Sequence, residues 1–214
     1  KVQKCKRAGL QFAQISLDGL NPETHDSFRG VPGTFKKTVQ GIKNCVAEGL
    51  FTEIAATATH FNYEEIPQII DFARELGVNW FMLYNFVPTG RGADIVGSDL
   101  TPDERENILK VCWNKMRVGG GTDVLSTAPQ FVRIAQEIEA QPTTMGEAGG
   151  YVVPTHFYNP RLPGELKSLA EFIGGCGAGR FYISLEPNGD IFPCVFFPHE
   201  ESVKVGNLFE DDFE

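Results

Sequence analysis

Hydrophobic and polar positions along the chain repeat with two alternating periods. Residues 12–17 (FAQISL), 53–59 (EIAATAT) and 79–85 (NWFMLYN) are short, β-rich apolar runs that read as strands. Between them the apolar residues return every three or four positions. Phe35, Val39, Ile42, Cys45 and Val46 form one stripe of a helix over Thr34–Glu48, stopped by Gly49. Ile66, Ile69, Ile70, Ala73 and Leu76 form the stripe of a second helix, Tyr63–Leu76, stopped by Gly77. Thr101-Pro102-Asp103-Glu104 predicts a third helix start, with Thr as N-cap, Pro at the first helical position and Glu at the third, running to Arg117. Lys1–Ala8 reads as the last turns of a further helix, ended by Gly9.

Strands that alternate with helices imply parallel βαβ units. Three in succession fit part of a β/α barrel or of a doubly wound sheet, and in either fold the chemistry gathers at the C-terminal strand ends. Beyond Gly119-Gly120-Gly121 the rhythm changes. Asp123–Leu125 reads as a short strand and Ala128–Ala140 as a helix. Gln141–Pro163, with four Pro and three Gly, reads as a long irregular loop. Phe181–Leu185 and Asp190–Cys194 then form a β-hairpin turned by Glu186-Pro187-Asn188-Gly189, since Asn and Gly tolerate positive φ.

Composition narrows the functional classes. A net charge of −9 over 214 residues argues against nucleic acid as a partner. No run approaches the roughly 20 apolar residues of a membrane span, and Lys1–Arg7 lacks a signal peptide's apolar stretch. The expectation is a cytoplasmic protein without membrane contact. Five scattered cysteines do not suggest a disulfide framework. Cys5, Cys45 and Cys112 read as core residues. Cys176 and Cys194 differ, because the hairpin would bring their sulfurs to one end of a small unit, where thiolates can hold iron. Two buried hydrophobic cysteines remain the simpler alternative.

A second constellation follows the first strand. Gln14-Ile15-Ser16-Leu17-Asp18-Gly19 continues through Asn21-Pro22-Glu23-Thr24-His25-Asp26-Ser27-Phe28-Arg29-Gly30. Hydroxyl, carboxylate and guanidinium at a strand end suit a polar ligand, although Asp-Gly, Asn-Pro and Arg-Gly are also turn formers. Thr57 and Thr59 alternate with Ala56 and Ala58 and read equally as cavity lining or as ordinary β-branched strand residues. His25, His60 and His199 show no partner in the sequence.

These motifs together resemble the radical S-adenosylmethionine (radical SAM) enzymes that carry a C-terminal SPASM domain. Cys176-x12-Gly189-x4-Cys194, followed by Val205-Gly206-Asn207-Leu208, resembles the opening half of that iron–sulfur domain, over residues 172–209. I-S-L-D-G, then H-D-x-x-R-G and a Gly-x-Phe helix start, resembles the fourth strand of the radical SAM barrel. Residues 53–59 resemble the fifth strand, and Phe81–Asn85 with Pro88-Thr89-Gly90-Arg91-Gly92 the sixth. The resemblance implies a partial (β/α) radical-SAM-type barrel over residues 1–120, a helix and irregular linker over 121–171, and a SPASM-like hairpin unit over 172–214.

It also implies sites. Ser16 and Arg29 would contact the ribose and methionine carboxylate of S-adenosylmethionine, Asp18 would order the loop, and Thr57, Thr59, Leu83 and Asn85 would line the cofactor cavity. Cys176 and Cys194 would ligate an auxiliary cluster. Arg91, Arg133 and His156 are candidates for the substrate, each with a solvated or hydrogen-bonded surface role as its alternative. Thr127-Ala128-Pro129-Gln130-Phe131-x-Arg133 resembles segments of the branch that makes haem and haem d1 from tetrapyrroles, and of related peptide and cofactor maturases.

The expected reaction is therefore reductive cleavage of S-adenosylmethionine to a 5′-deoxyadenosyl radical that acts on a tetrapyrrole, with a peptide or cofactor precursor as the other substrate class. A ferredoxin or flavodoxin would donate the electron. The family's C-x3-C-x2-C, its Gly-Gly-Glu-Pro segment and its later SPASM cysteines are absent from this sequence. The expectation is of an internal piece of a longer enzyme, its [4Fe–4S] sites incomplete and its chain inactive alone. A non-catalytic β/α binding module is the alternative from another class.

Overall fold

A computed structural model describes residues 1–128, 130–139, 178–179 and 183–212. The chain divides into two compact units. One comprises Lys1–Phe86 with Gly97–His156, the other Val87–Val96 with Phe157–Glu214.

The first unit is built from α1 (Val2–Arg7), β1 (Phe12–Ser16), α2 (Pro22–Arg29), α3 (Thr34–Ala47), β2 (Phe51–Ala58), α4 (Ile66–Leu76), β3 (Trp80–Asn85), α5 (Pro102–Val118), β4 (Asp123–Ser126) and α6 (Gln130–Glu139). The four strands form one parallel sheet in chain order. Each strand-to-strand crossover contains a helix, as parallel pairing requires. β4 extends the sheet past residue 120, where the sequence places the end of the barrel portion. α2 is the element the pattern did not predict: PETHDSFR is too polar to show a stripe, and its helix rests on its ends. The Asn21 side chain accepts from the Thr24 amide, Pro22 sits in the first turn, and Gly30 closes the helix at φ 69°.

Register sorts the strand residues into two faces, because in-register neighbours in a parallel sheet point the same way. Ile15, Leu17, Ile54, Ala56, Phe81, Leu83 and Val124 pack against the helices around Ile42, Ile66, Ile69, Ile70, Leu109 and Trp113. Each fully buried Ile or Leu there contributes roughly 1.5–3 kcal/mol. The opposite, inner face is layered. At its N-terminal end Phe12, Phe51 and Trp80 pack ring on ring, with centroids 4.8–6.1 Å apart. Gln14 and Glu53 pair in register one level above Phe12 and Phe51, beside Trp80. Ser16, Ala55 and Met82 form the next level, and Thr57 and Tyr84 the last.

In the second unit, β5 (Ser184–Leu185), β6 (Asp190–Phe192) and β7 (Gly206–Asn207) form an antiparallel sheet. The Pro187-Asn188-Gly189 turn joins β5 to β6 as the sequence predicts. Gly189 has φ 89°, and a Cβ there would fall 2.5 Å from the Phe209 ring, so only glycine fits. Asn207 ties the unit together, donating to Asp190 Oδ1 and the Asn188 carbonyl. Among the described residues no helix is long and apolar enough to cross a membrane.

Candidate functional site at the strand ends

The C-terminal ends of β1 and β2 are joined by a network centred on Asp18, which has no exposed surface. Its Oδ1 accepts from the Thr57 amide at 2.9 Å, and its other oxygen pairs with Arg29 Nη2. Its own amide donates to His25 Nδ1 at 3.1 Å, and its carbonyl accepts from Asn62 Nδ2 at 3.1 Å. Burial pushes the Asp18 carboxyl above its ordinary range, while the Arg29 guanidinium and the Thr57 amide pull it back. His25 is buried with it, and burial holds its imidazole below the usual value. Because Nδ1 accepts the Asp18 amide, the neutral ring carries its proton on Nε2.

Local sequence explains this arrangement. α2 turns the chain back so that Arg29, near its end, returns to Asp18 near its start. Gly19 permits the turn, since a Cβ there would lie 2.7 Å from the His25 amide nitrogen. Asp26 then starts α3 by accepting from the amides of Gly33 and Phe35, both at 2.6 Å. Glu65 holds the loop from the other side, accepting from the Leu20 amide at 2.7 Å and from the Thr24 hydroxyl at 2.5 Å.

The structure brings together Ser16, Asp18, Arg29 and Thr57. Ser16 and Thr57 lie on the same inner face, on neighbouring strands and adjacent levels; Ser16 is exposed and Thr57 half-buried. Thr59 lies past the end of β2, fully buried, its amide donating to Asn62 Oδ1 at 3.0 Å. Leu83 is set apart: it is on the helix-packed face with 1% exposure. Asn85 shares that face by alternation and is half-buried, in register with Ala58. Arg133 is spoken for by two carboxylates, Glu137 at 2.7 Å and Glu106 at 2.9 Å. Arg91 is exposed and belongs to the second unit. His156 and Cys176 lie outside the described residues. Cys194 is buried, and its Sγ accepts from the Phe196 amide at 3.4 Å.

Several participants carried no sequence signal that pointed to them. Asn62 is buried and bridges Asp18, Thr57 and Thr59 from a loop three residues after the last of these. All three histidines without apparent partners have them: His25 with Asp18, His60 with Glu104 at 2.9 Å, and His199 with Glu186 at 2.9 Å. Glu104 is held down to about 2 by the His60 bond and by its capping contacts with Thr101. Cys5 is exposed, not core, because its short helix buries no residue. Glu53 is the least expected. It is a fully buried carboxyl in mid-strand, bonded through Oε1 to Gln14 Nε2 at 2.5 Å. The same nitrogen donates to the Tyr84 hydroxyl at 2.8 Å. The visible signal was one acid in an otherwise uncharged strand, EIAATAT.

Known proteins resemble this chain in sequence and in fold. Residues 176–214 match the SPASM iron–sulfur cluster-binding domain. The AdoMet-dependent heme synthase of Methanosarcina barkeri is 30% identical over 212 residues, covering 99% of this chain and 54% of that protein. The chain is thus similar along nearly its whole length to members of the radical SAM–SPASM family. Within it, the antilisterial bacteriocin subtilosin biosynthesis protein AlbA of Bacillus subtilis is also 30% identical, covering 94% of this chain and 35% of AlbA. The crystal structure of Streptococcus suis SuiB bound to S-adenosylmethionine superposes with a TM-score of 0.59 at 20% identity, over 94% of this chain and 41% of SuiB, a likeness of fold. The chain thus spans about half, or less, of the length of these family members.

Proposed function

We propose that this chain contributes the S-adenosylmethionine end of a radical SAM barrel and the start of an auxiliary-cluster domain, in an enzyme that modifies a tetrapyrrole. The convergence of Ser16, Asp18, Arg29 and Thr57 carries the reading. Arg29 commits Nη2 to Asp18, yet about a third of its side chain is exposed (36%), so further guanidinium donors can face the cofactor's carboxylate. Ser16 and Thr57 present hydroxyls on the inner face beside it, and Thr59 and Asn62 hold the loop behind them. Asn85 stands at the end of the third strand, where backbone can border the adenine.

Cys194 fits an iron ligand. It is a buried sulfur that receives a backbone N–H, the bond by which proteins steady a cluster thiolate and tune its potential. Cys176 is its proposed co-ligand. When bound, S-adenosylmethionine and its reduced [4Fe–4S] partner supply a 5′-deoxyadenosyl radical that takes hydrogen from the substrate. The residues of this chain hold the methionine carboxylate, orient the ribose and keep the strand ends fixed. The electron donor is a ferredoxin or flavodoxin.

Similarity to a heme synthase along nearly the whole chain supports a tetrapyrrole substrate. Similarity to AlbA supports a peptide as the second reading. The test uses the full-length enzyme, purified without oxygen and supplied with S-adenosylmethionine and a reductant. An iron porphyrin bearing propionates should stimulate 5′-deoxyadenosine formation, and a cysteine-containing precursor peptide should not. The reverse result replaces the first reading with the second.

A further inference from the structure

One polar group on the inner face has no role in the cofactor site. Glu53 is fully buried, level with Gln14 and Trp80, one level above Phe12 and Phe51 and one below Ser16. Its Oε1 accepts from Gln14, but its Oε2 is buried without a hydrogen-bond partner among the described residues. Leaving such an atom unmet is costly, so native structures keep few of them. Gln14 meanwhile spends both amide hydrogens, one on Glu53 and one on the Tyr84 oxygen. The Tyr84 oxygen is therefore an acceptor there, and its own hydrogen is left to point elsewhere. Gln14 thus sets two oxygens side by side, a carboxyl and a phenol.

We propose that Glu53 and Tyr84, aligned by Gln14, form a subsite that binds a propionate carboxylate of the tetrapyrrole through Glu53 Oε2 and the Tyr84 hydroxyl. The inference rests on the tetrapyrrole reading above. No Lys, Arg or His stands on the inner face of the four strands; Tyr84 and Asp123 are the other titratable groups there. Without a cation, burial favours the neutral acid and pushes the Glu53 carboxyl above its usual range. With Oε1 accepting, the acid's proton sits on Oε2 and makes it a donor. An acid facing a carboxylate shares one proton with it, as adjacent carboxyls do. Tyr84 is half-buried and reaches back from the top level to Gln14. Its hydroxyl, bonded to the same Gln14 amide nitrogen, stands with Glu53 for the same carboxylate.

The experiment titrates the full-length, cluster-loaded enzyme with iron mesoporphyrin and with its dimethyl ester, read by the visible absorbance of the porphyrin. Glu53→Ala should weaken binding of the diacid at least about tenfold, whereas Glu53→Gln, which keeps an N–H donor, should stay within about threefold. Tyr84→Phe should weaken the diacid a few-fold, and none of the three should affect the diester. S-adenosylmethionine affinity, unchanged in each variant, shows the site is intact. If Glu53→Ala does not fold, the Gln and Phe variants decide. Diacid binding that survives Glu53→Ala, or that survives Tyr84→Phe when the Ala variant is not available, overturns the subsite. So does a Gln variant more than about tenfold weaker than the wild type, which assigns Glu53 a carboxylate role. A wild-type enzyme that binds neither porphyrin overturns the tetrapyrrole reading itself, and this inference with it.

Discussion

Asp18 and Glu53 are both carboxyls without exposed surface in the same sheet unit, and they are treated differently. Asp18 has a guanidinium, a backbone amide and a loop folded around it. Glu53 has one amide nitrogen and, among the described residues, an oxygen with nothing to bond. The strand ends are polar structure completed by the protein itself; the middle of the inner face is polar structure left incomplete. Burial raises both carboxyls; at Asp18 a guanidinium and a backbone amide pull back against it, and at Glu53 the Gln14 amide does. The difference separates a residue that builds a site from one whose second oxygen is left unmet among the described residues.

Asp18→Ala strands Arg29 and the Thr57 amide together and should cost about 3 kcal/mol in urea unfolding, less than a wholly buried pair because Arg29 is partly exposed. A loss under about 1 kcal/mol would mean the network is not a structural unit. Asn62→Ala removes the bridge among Asp18, Thr57 and Thr59 and should cost about 2 kcal/mol by the same measurement. Glu53→Gln should act in the opposite direction. The folded acid holds its proton above the unfolded carboxyl's pKa, so the native state binds more protons there and stability falls as pH rises through that window. The Gln variant escapes this penalty: its unfolding midpoint should exceed the wild type at about pH 8 and match it at about pH 4. A Gln variant less stable at both would place a charged, satisfied Glu53 in the native protein.

The parts of the molecule that were legible in the sequence follow from short-range pattern. The strands at 12–17, 53–59 and 79–85 and the helices between them show in their periods, and the Pro187-Asn188-Gly189 turn shows in its residue types. α2 was not legible, because its helix depends on Asn21 and Gly30 rather than on an apolar stripe. Leu83 was expected in the cofactor cavity, yet alternation from Tyr84 turns it to the helices, a parity that only the register fixes. Asn62, His25 and the Gln14–Glu53–Tyr84 set act across separate strands and loops, and no local motif encodes such contacts.

On the reading proposed above, the ends of β1 and β2 hold S-adenosylmethionine through Ser16 and Arg29. The most direct test is the affinity of the full-length, cluster-loaded enzyme for S-adenosylmethionine, measured by equilibrium binding in wild type, Ser16→Ala and Arg29→Ala. Arg29→Ala should weaken binding at least about tenfold and Ser16→Ala by a smaller factor, in keeping with a charge-assisted against a neutral hydrogen bond. Affinity unchanged in both variants, in protein that retains its iron, would mean that Ser16 and Arg29 do not hold the cofactor.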